Sequence, residues 1–191
     1  MHKELYNKDD PDNPENGFLY HYRIGFGWGE NLEVLFRQSL EAINNYYYAP
    51  GSRSYKITSK ASLRYAISPP VSIICALENR AGAPAGEVFK KGTGLSAEAL
   101  YSKKDYDASF LVLYFNTDHS RYAYLYPYER SVYRWSFVPA SLYGKGLLFS
   151  IRFIQNFTEQ FVWGGKLRCK LDAEDPSRSS VTLYCISEFY F

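Results

Sequence analysis

The segment DASFLVLYF (residues 107–115) decides the fold class, because it opens a run of strand-like segments that continues to the end of the chain. It is mostly apolar and leads into NTDH (116–119), a sequence typical of a hairpin turn. Beyond the turn, tyrosine occupies every second position, at Tyr122, Tyr124 and Tyr126. Alternation with a period of two indicates a half-buried strand.

The strand pattern continues through the rest of this half, over residues 132–138, 147–154, 160–170 and 181–191. Turn-forming residues such as DPS (175–177) separate the segments. Residues 107–191 are therefore predicted to form mainly antiparallel sheet. The last segment is apolar on both faces toward its end, so we expect it to be docked against the fold.

The N-terminal half carries the clearest helical spacing. Asn31 is a residue type that caps helices, and apolar residues follow it at steps of three and four, at Leu32, Leu35, Phe36, Leu40 and Ile43. This spacing predicts a helix near the N-terminus that packs one face inward. The other predictions for this half are strands over 18–24, 55–58 and 71–77, helical turns over 59–65 and 96–101, a glycine turn over 25–29 and a long loop over 79–95.

Together these patterns predict an α+β fold. Residues 1–17 are rich in Asn, Pro and charged residues and are predicted to be an irregular N-terminal arm. Residues 18–191 are predicted to form a single β-rich domain, in which the N-terminal helix packs against one or two mainly antiparallel sheets. A chain of 191 residues is long enough for one such domain with a substantial core.

The composition excludes several function classes. The formal net charge is only +2, so long-range electrostatics do not mark the chain as a nucleic-acid binder. The three cysteines form neither a CxxC pair nor a cluster with histidine, which argues against a disulfide framework and against a metal site. No apolar signal segment and no run of eighteen apolar residues is present, so a cytoplasmic protein without a membrane partner is predicted.

Three short segments carry residue types that suit chemistry on a nucleotide. They are YHYR (20–23), YKITSKAS (55–62) and TEQFVWGGKL (158–167). A guanidinium binds a pyrophosphate through paired donors, and a carboxylate stabilises an oxocarbenium-like centre. In chain order, the segments supply an arginine, a serine that follows a strand, and a glutamate.

This order resembles the mono-ADP-ribosyltransferases of bacterial toxins and phages. The resemblance implies NAD as the cofactor that is consumed, with Arg23 on a phosphate of NAD and Glu159 as the catalytic carboxylate on the nicotinamide ribose. Ser59 would support Glu159, and His21 competes for the ribose contact that a histidine makes in the diphtheria-like branch. The sequence departs from the family at Phe157, where members that modify arginine carry Glu or Gln.

Other functions suit the same residues. Arg23 can stack on a tyrosine ring, Ser59 can cap a helix, and Glu159 can be a surface residue before a β-bulge. The alternative function is then a non-catalytic interaction protein that uses its tyrosine-rich hairpin (122–135) to bind a protein partner. Single-stranded nucleic acid stacked on an aromatic sheet is a third function, which the near-neutral charge disfavours.

Overall fold

The computed structural model describes residues 2–4, 18–44, 53–120, 122–126, 141–158 and 160–189. Its strands form one antiparallel sheet of ten, in which each strand pairs with the next along the chain. The strands are β1 (His2–Glu4), β2 (Phe18–Trp28), β3 (Leu32–Asn44), β4 (Arg53–Ser68), β5 (Val71–Pro84), β6 (Lys90–Ser102), β7 (Tyr106–Thr117), β8 (Gly144–Asn156), β9 (Phe161–Asp172) and β10 (Ser180–Phe189). A 3₁₀ turn at Pro176–Arg178 joins β9 to β10.

The α+β prediction is wrong, because the predicted helix over 31–44 is strand β3. It pairs with β2 over residues 32–42 and with β4 along its whole length. Steps of four residues keep the same parity, so Leu32, Phe36 and Leu40 share one face of a strand as readily as one face of a helix. Pairing with two neighbours then outweighs the local helical spacing. Of the glycine turn predicted over 25–29, residues 25–28 are strand β2, and the β2–β3 turn begins at Gly29, whose φ of 63° favours glycine.

The two shorter helical predictions are wrong for the same reason. Residues 59–65 lie inside β4 and residues 96–101 lie inside β6. Most of the predicted loop over 79–95 is also strand, and only residues 85–89 connect β5 to β6. The strands predicted over 18–24, 71–77, 147–154 and 160–170 are confirmed, as is the last strand through Phe189. The strand predicted over 132–138 and most of the arm over 1–17 lie outside the described residues.

The sheet has two chemically different faces. Directly opposite residues of antiparallel strands project to the same side, so the register assigns each paired strand residue to a face. We call the side of Arg23, Arg37 and Lys60 the inner face and the other side the outer face. Residues from β2 through β7 line one cavity on the inner face, although a flat sheet would separate β2 from β7 by about 24 Å. The sheet is therefore curved, with the inner face concave.

The core lies at one end of this concave face. Between β7 and β8, residues 122–126 and 141–143 run against the inner face, and we call them the inner segment. Leu125 and Leu142 form a β-bridge there and pack with the inner-face residues Leu113, Phe115 and Leu148. The tyrosine segment 122–126 thus differs from the predicted return strand of a hairpin, since β7 pairs with β6 and β8 instead.

The turn between β9 and β10 lowers the pKa of Asp175. The Ser177 hydroxyl donates to Oδ1 of Asp175 at 2.6 Å, and the Ser177 backbone N–H donates to the same oxygen at 3.0 Å. These bonds favour the ionised carboxyl, and Arg178 adds a positive charge, with its Nε 3.1 Å from Oδ2. Together they hold the pKa of Asp175 below its ordinary value of 3.8.

Replacing Ser177 by alanine is expected to raise the pKa of Asp175 toward its ordinary value, because the hydroxyl donor is lost. A carboxyl with a lowered pKa stabilises the fold above the unfolded pKa, and this stabilisation is lost as the pH falls through the folded value. NMR titration of the Asp175 carboxyl in both proteins measures the change. Ser179→Ala is the control, since the Ser179 hydroxyl bonds the backbone of Asp172 instead. An unchanged pKa in Ser177→Ala would contradict the assignment.

Candidate functional site

The concave inner face encloses an open cavity of about 580 Å³. Basic residues form its wall on β2, β3 and β4, where Arg23, Arg37 and Lys60 occupy directly opposite positions in the register. Arg64 lies further along β4. The acidic lining residues are Glu33, Glu78 and Glu98. Positive charge is therefore concentrated on one side of the cavity.

The ion pairs on this face leave Arg23 and Arg37 of the basic wall uncompensated. Glu78 accepts a hydrogen bond from Arg80 at 3.0 Å and has Lys60 Nζ at 3.9 Å. Neither Arg23 nor Arg37 makes an ion pair with any residue that the structure describes. Like charges directly opposite each other on neighbouring strands are destabilising. The fold thus maintains an unfavourable arginine pair beside an open cavity.

The outer face is apolar across the sheet. Four neighbouring rows of opposed residues contain no charged and no amide side chain, and we call them the apolar band. The first row is Ile24, Phe36, Ala61, Leu77, Leu95, Tyr114, Leu147 and Leu171. The second is Phe26, Val34, Leu63, Cys75, Ala97, Val112, Phe149, Cys169 and Val181.

The other two rows continue the band toward the opposite strand ends. The third row is Trp28, Leu32, Tyr65, Ile73, Ala99, Phe110, Ile151, Leu167 and Leu183. The fourth is Ser68, Val71, Tyr101, Ala108, Phe153, Gly165 and Cys185. Many of these side chains are largely exposed, for example Phe26 at 69 % and Trp28 at 83 %. Monomeric soluble proteins rarely expose an apolar surface of this extent.

A polar row borders the apolar band on the same face. It runs through Gln38, Ser59, Asn79, Thr93 and Asn116 on five consecutive strands. Thr93 Oγ1 donates to Asn79 Oδ1 at 2.9 Å, and Tyr22 donates to Gln38 on β3. The next residue of the row, on β8, is Lys145. The outer face therefore carries a polar row beside the apolar band, and on β3 to β5 the apolar residues Leu40, Ile57 and Ala81 follow beyond it.

The structure separates the residues that the sequence had grouped into a catalytic site. His21 and Arg23 lie on the inner face of β2, whereas Ser59 lies in the polar row of the outer face. Arg23 and Ser59 thus project to opposite sides of the sheet. Glu159 lies outside the described residues. The NAD site and the transferase activity stay predictions.

The apolar band was present in the sequence but was not identified. Residues 20–28 alternate Tyr20, Tyr22, Ile24, Phe26 and Trp28 with other residues, which is a strand signal with period two. The glycines at 25 and 27 led to a turn prediction instead. Both occupy inner-face positions between the large outer side chains.

Comparison with known proteins gives no family assignment: no protein-family model and no curated protein matches the sequence. In the described part of the chain, no three His, Cys, Asp or Glu side chains are grouped so that they could hold a metal ion. Among the residues that the structure describes, no helix is long and apolar enough to cross a membrane. The function is therefore argued from the two faces of the sheet.

Proposed function

We propose that the protein is an interaction protein whose outer face binds the hydrocarbon interior of a lipid membrane. The observation that carries the proposal is the apolar band, which crosses the strands without a charged side chain. In water, such a surface is unfavourable by roughly 25 cal/mol for each Å² of apolar area left exposed. Hydrocarbon contact removes that cost.

The dimensions of the band support lipid as the partner. Neighbouring rows are two residues apart along each strand, so four rows extend over about 20 Å before side chains are counted. This is close to the height of about 25 Å for the apolar surface of strand proteins in membranes. The polar row beside the band then lies where hydrocarbon gives way to headgroups. Strands β3 to β9 are each paired with a neighbouring strand on both sides, as a lipid environment requires of their backbone groups.

The curvature of the sheet argues against a protein partner for the whole band. The outer face is the convex side, and the band follows it from β2 to β10. A typical protein interface covers only about 800 Å² on each partner. One flat partner or one second copy would leave much of a convex band uncovered, whereas fluid hydrocarbon conforms to it.

This proposal replaces the prediction of a protein without a membrane partner. That prediction relied on the absence of eighteen consecutive apolar residues, which is the length a helix needs. A strand that contacts lipid on one face needs an apolar residue only at every second position. The surface also differs from the predicted tyrosine hairpin, because Tyr122 and Tyr124 are half-buried in the inner segment.

We expect brominated lipid to quench the fluorescence of one tryptophan in the apolar band and of a second tryptophan at its edge. Trp28 belongs to the band and Trp163 lies on the same face of β9. Two proteins are made by Trp→Phe changes, one that retains only Trp28 and one that retains only Trp163; both lack Trp135. Each protein is mixed with vesicles of plain or chain-brominated phosphatidylcholine. Bromine on acyl chains quenches tryptophan only on contact, so strong quenching of each protein supports the proposal.

The control for this experiment is a water-soluble bromide at equal bromine concentration, which is expected to quench weakly once vesicles are present. Flotation of the protein with the vesicles in a density gradient gives an independent measurement. Proteins that stay at the bottom of the gradient, with fluorescence unaffected by brominated chains, would overturn the proposal. A water-soluble oligomer in the same sample would assign the band to contacts between copies.

A further inference from the structure

We infer that Arg23 and Arg37 form an anion-binding site on the inner face, for a small molecule that carries phosphate or carboxylate groups. The two residues are directly opposite each other on β2 and β3, and both line the cavity. Side chains in this relation have Cβ atoms about 4.5–5.5 Å apart. Two guanidinium groups at that separation can bind one oxyanion from both sides, each through paired N–H donors.

The register surrounds the pair with further hydrogen-bond donors. Two rows cross β2, β3 and β4 here: the first is His21, Ser39 and Thr58, and the second is Arg23, Arg37 and Lys60. We call these six residues the donor block. It contains no carboxylate, whereas Glu41 lies opposite Lys56 and Glu33 opposite Arg64 elsewhere on the inner face. A block of donors without a carboxylate of its own is complementary to an anion.

The charged groups that face the block do not neutralise the arginine pair. Beyond Lys60, Glu78 on β5 is engaged by Arg80, and Arg80 itself lies opposite Thr58 and adds another donor. Glu33 lies two rows from Arg37 on β3, opposite Arg64. Glu98, on the far wall of the cavity, has an interaction of its own. An anion at the block therefore meets Arg23 and Arg37 as its nearest uncompensated charges.

The open cavity gives such an anion both access and space. Its volume of about 580 Å³ exceeds that of a single phosphate group, and the three basic residues of the second row span two strand intervals. These intervals amount to about 10 Å. The row therefore suits a ligand with two linked anionic groups better than an isolated ion. The inner face is turned away from the apolar band, so the ligand arrives from water.

Inorganic pyrophosphate is the probe for this site, and isothermal titration calorimetry of the full chain in lipid or detergent measures its binding. We expect a single saturable site in the wild type that weakens as NaCl is raised. Arg23→Gln and Arg37→Gln are each expected to weaken binding at least tenfold, because each removes one side of the pair. Pyrophosphate is also expected to raise the Tm of the wild type and to leave the Tm of these variants nearly unchanged.

Arg64→Gln is the matched control, since it removes an arginine from the same cavity but outside the donor block. We expect it to weaken binding less than threefold. Absence of binding to the wild type overturns the inference, and so does an equal loss in all three variants, which indicates a diffuse positive field. Circular dichroism checks folding. Lipid quenching of Trp28 and Trp163 is expected to persist in every variant, so failure of this site is distinct from failure of the membrane proposal.

Discussion

Replacing Ile151 by arginine is expected to destabilise the protein in a lipid membrane by about 2–4 kcal/mol. Ile151 is 52 % exposed and lies in the third row of the apolar band. On β8, it is flanked on the outer face by Phe149 and Phe153, and the polar residues Lys145 and Gln155 come only at the two ends. An arginine there would place a charge in the middle of the hydrocarbon contact, far from either polar boundary.

The same change has the opposite meaning in water. An exposed isoleucine replaced by arginine on a hydrated surface usually changes stability by no more than about 0.5 kcal/mol. The size of the effect therefore distinguishes a lipid-facing band from a solvated one. Urea unfolding of the wild type and Ile151→Arg in phosphatidylcholine vesicles measures it, with tryptophan fluorescence as the signal.

Gln155→Arg provides the matched control on the same strand and the same face. Gln155 lies at the end of β8, where its side chain donates to the Tyr106 hydroxyl at 3.1 Å. An arginine at a membrane boundary costs about 0–1 kcal/mol, so we expect little change. Equal unfolding curves for Ile151→Arg and Gln155→Arg would contradict a band that contacts hydrocarbon.

Local sequence predicted strands where apolar and aromatic residues form a run without helical spacing, and failed where a helical period fitted equally well. β7, β8 and β9 contain such runs, and their prediction is confirmed although Gly164 and Gly165 interrupt the run in β9. In β3, the residues Leu32, Phe36 and Leu40 satisfy both a helical step of four and a strand step of two. Pairing with β2 and β4 resolves this ambiguity. These partner residues lie outside the local sequence of β3, so its own pattern does not reveal them.

The inner-face site depends on the register between neighbouring strands, and the register cannot be predicted from amino-acid composition. Arg23 was singled out from its own segment, but Arg37 lay in the predicted helix and Lys60 in a predicted helical turn. Their row forms because the β2–β3 turn at Gly29 sets which residues oppose each other. A slip of one residue in either strand would move one arginine to the apolar band. The donor block is thus a property of the pairing, and a sequence pattern alone does not reveal it.

Replacing Gly92 by alanine is expected to destabilise the fold by about 3 kcal/mol, which is near the upper end for overpacking. A methyl group at Gly92 would overlap the carbonyl oxygen of Ala123, which is backbone and belongs to the fully buried part of the inner segment. The strand and the inner segment would have to separate, and Leu125 would lose its packing in the core. Urea unfolding of Gly92→Ala against the wild type measures the loss.

Two other glycines of the inner face make this a graded test of close approach. At Gly94 a methyl group meets Cδ1 of Leu125 at 2.9 Å, and because that atom ends a flexible side chain we expect a smaller loss than at Gly92. At Gly27 the nearest atom is 4.0 Å away, so alanine fits. Gly27→Ala is expected to stabilise the fold by about 0.4–1 kcal/mol, because it reduces the entropy of the unfolded chain. We therefore expect stability to decrease in the order Gly27→Ala, Gly94→Ala, Gly92→Ala, because the inner segment lies directly on the backbone of β6. Equal effects at the three positions would show that the inner segment does not rest there, and the core at this end of the sheet would then need a different arrangement.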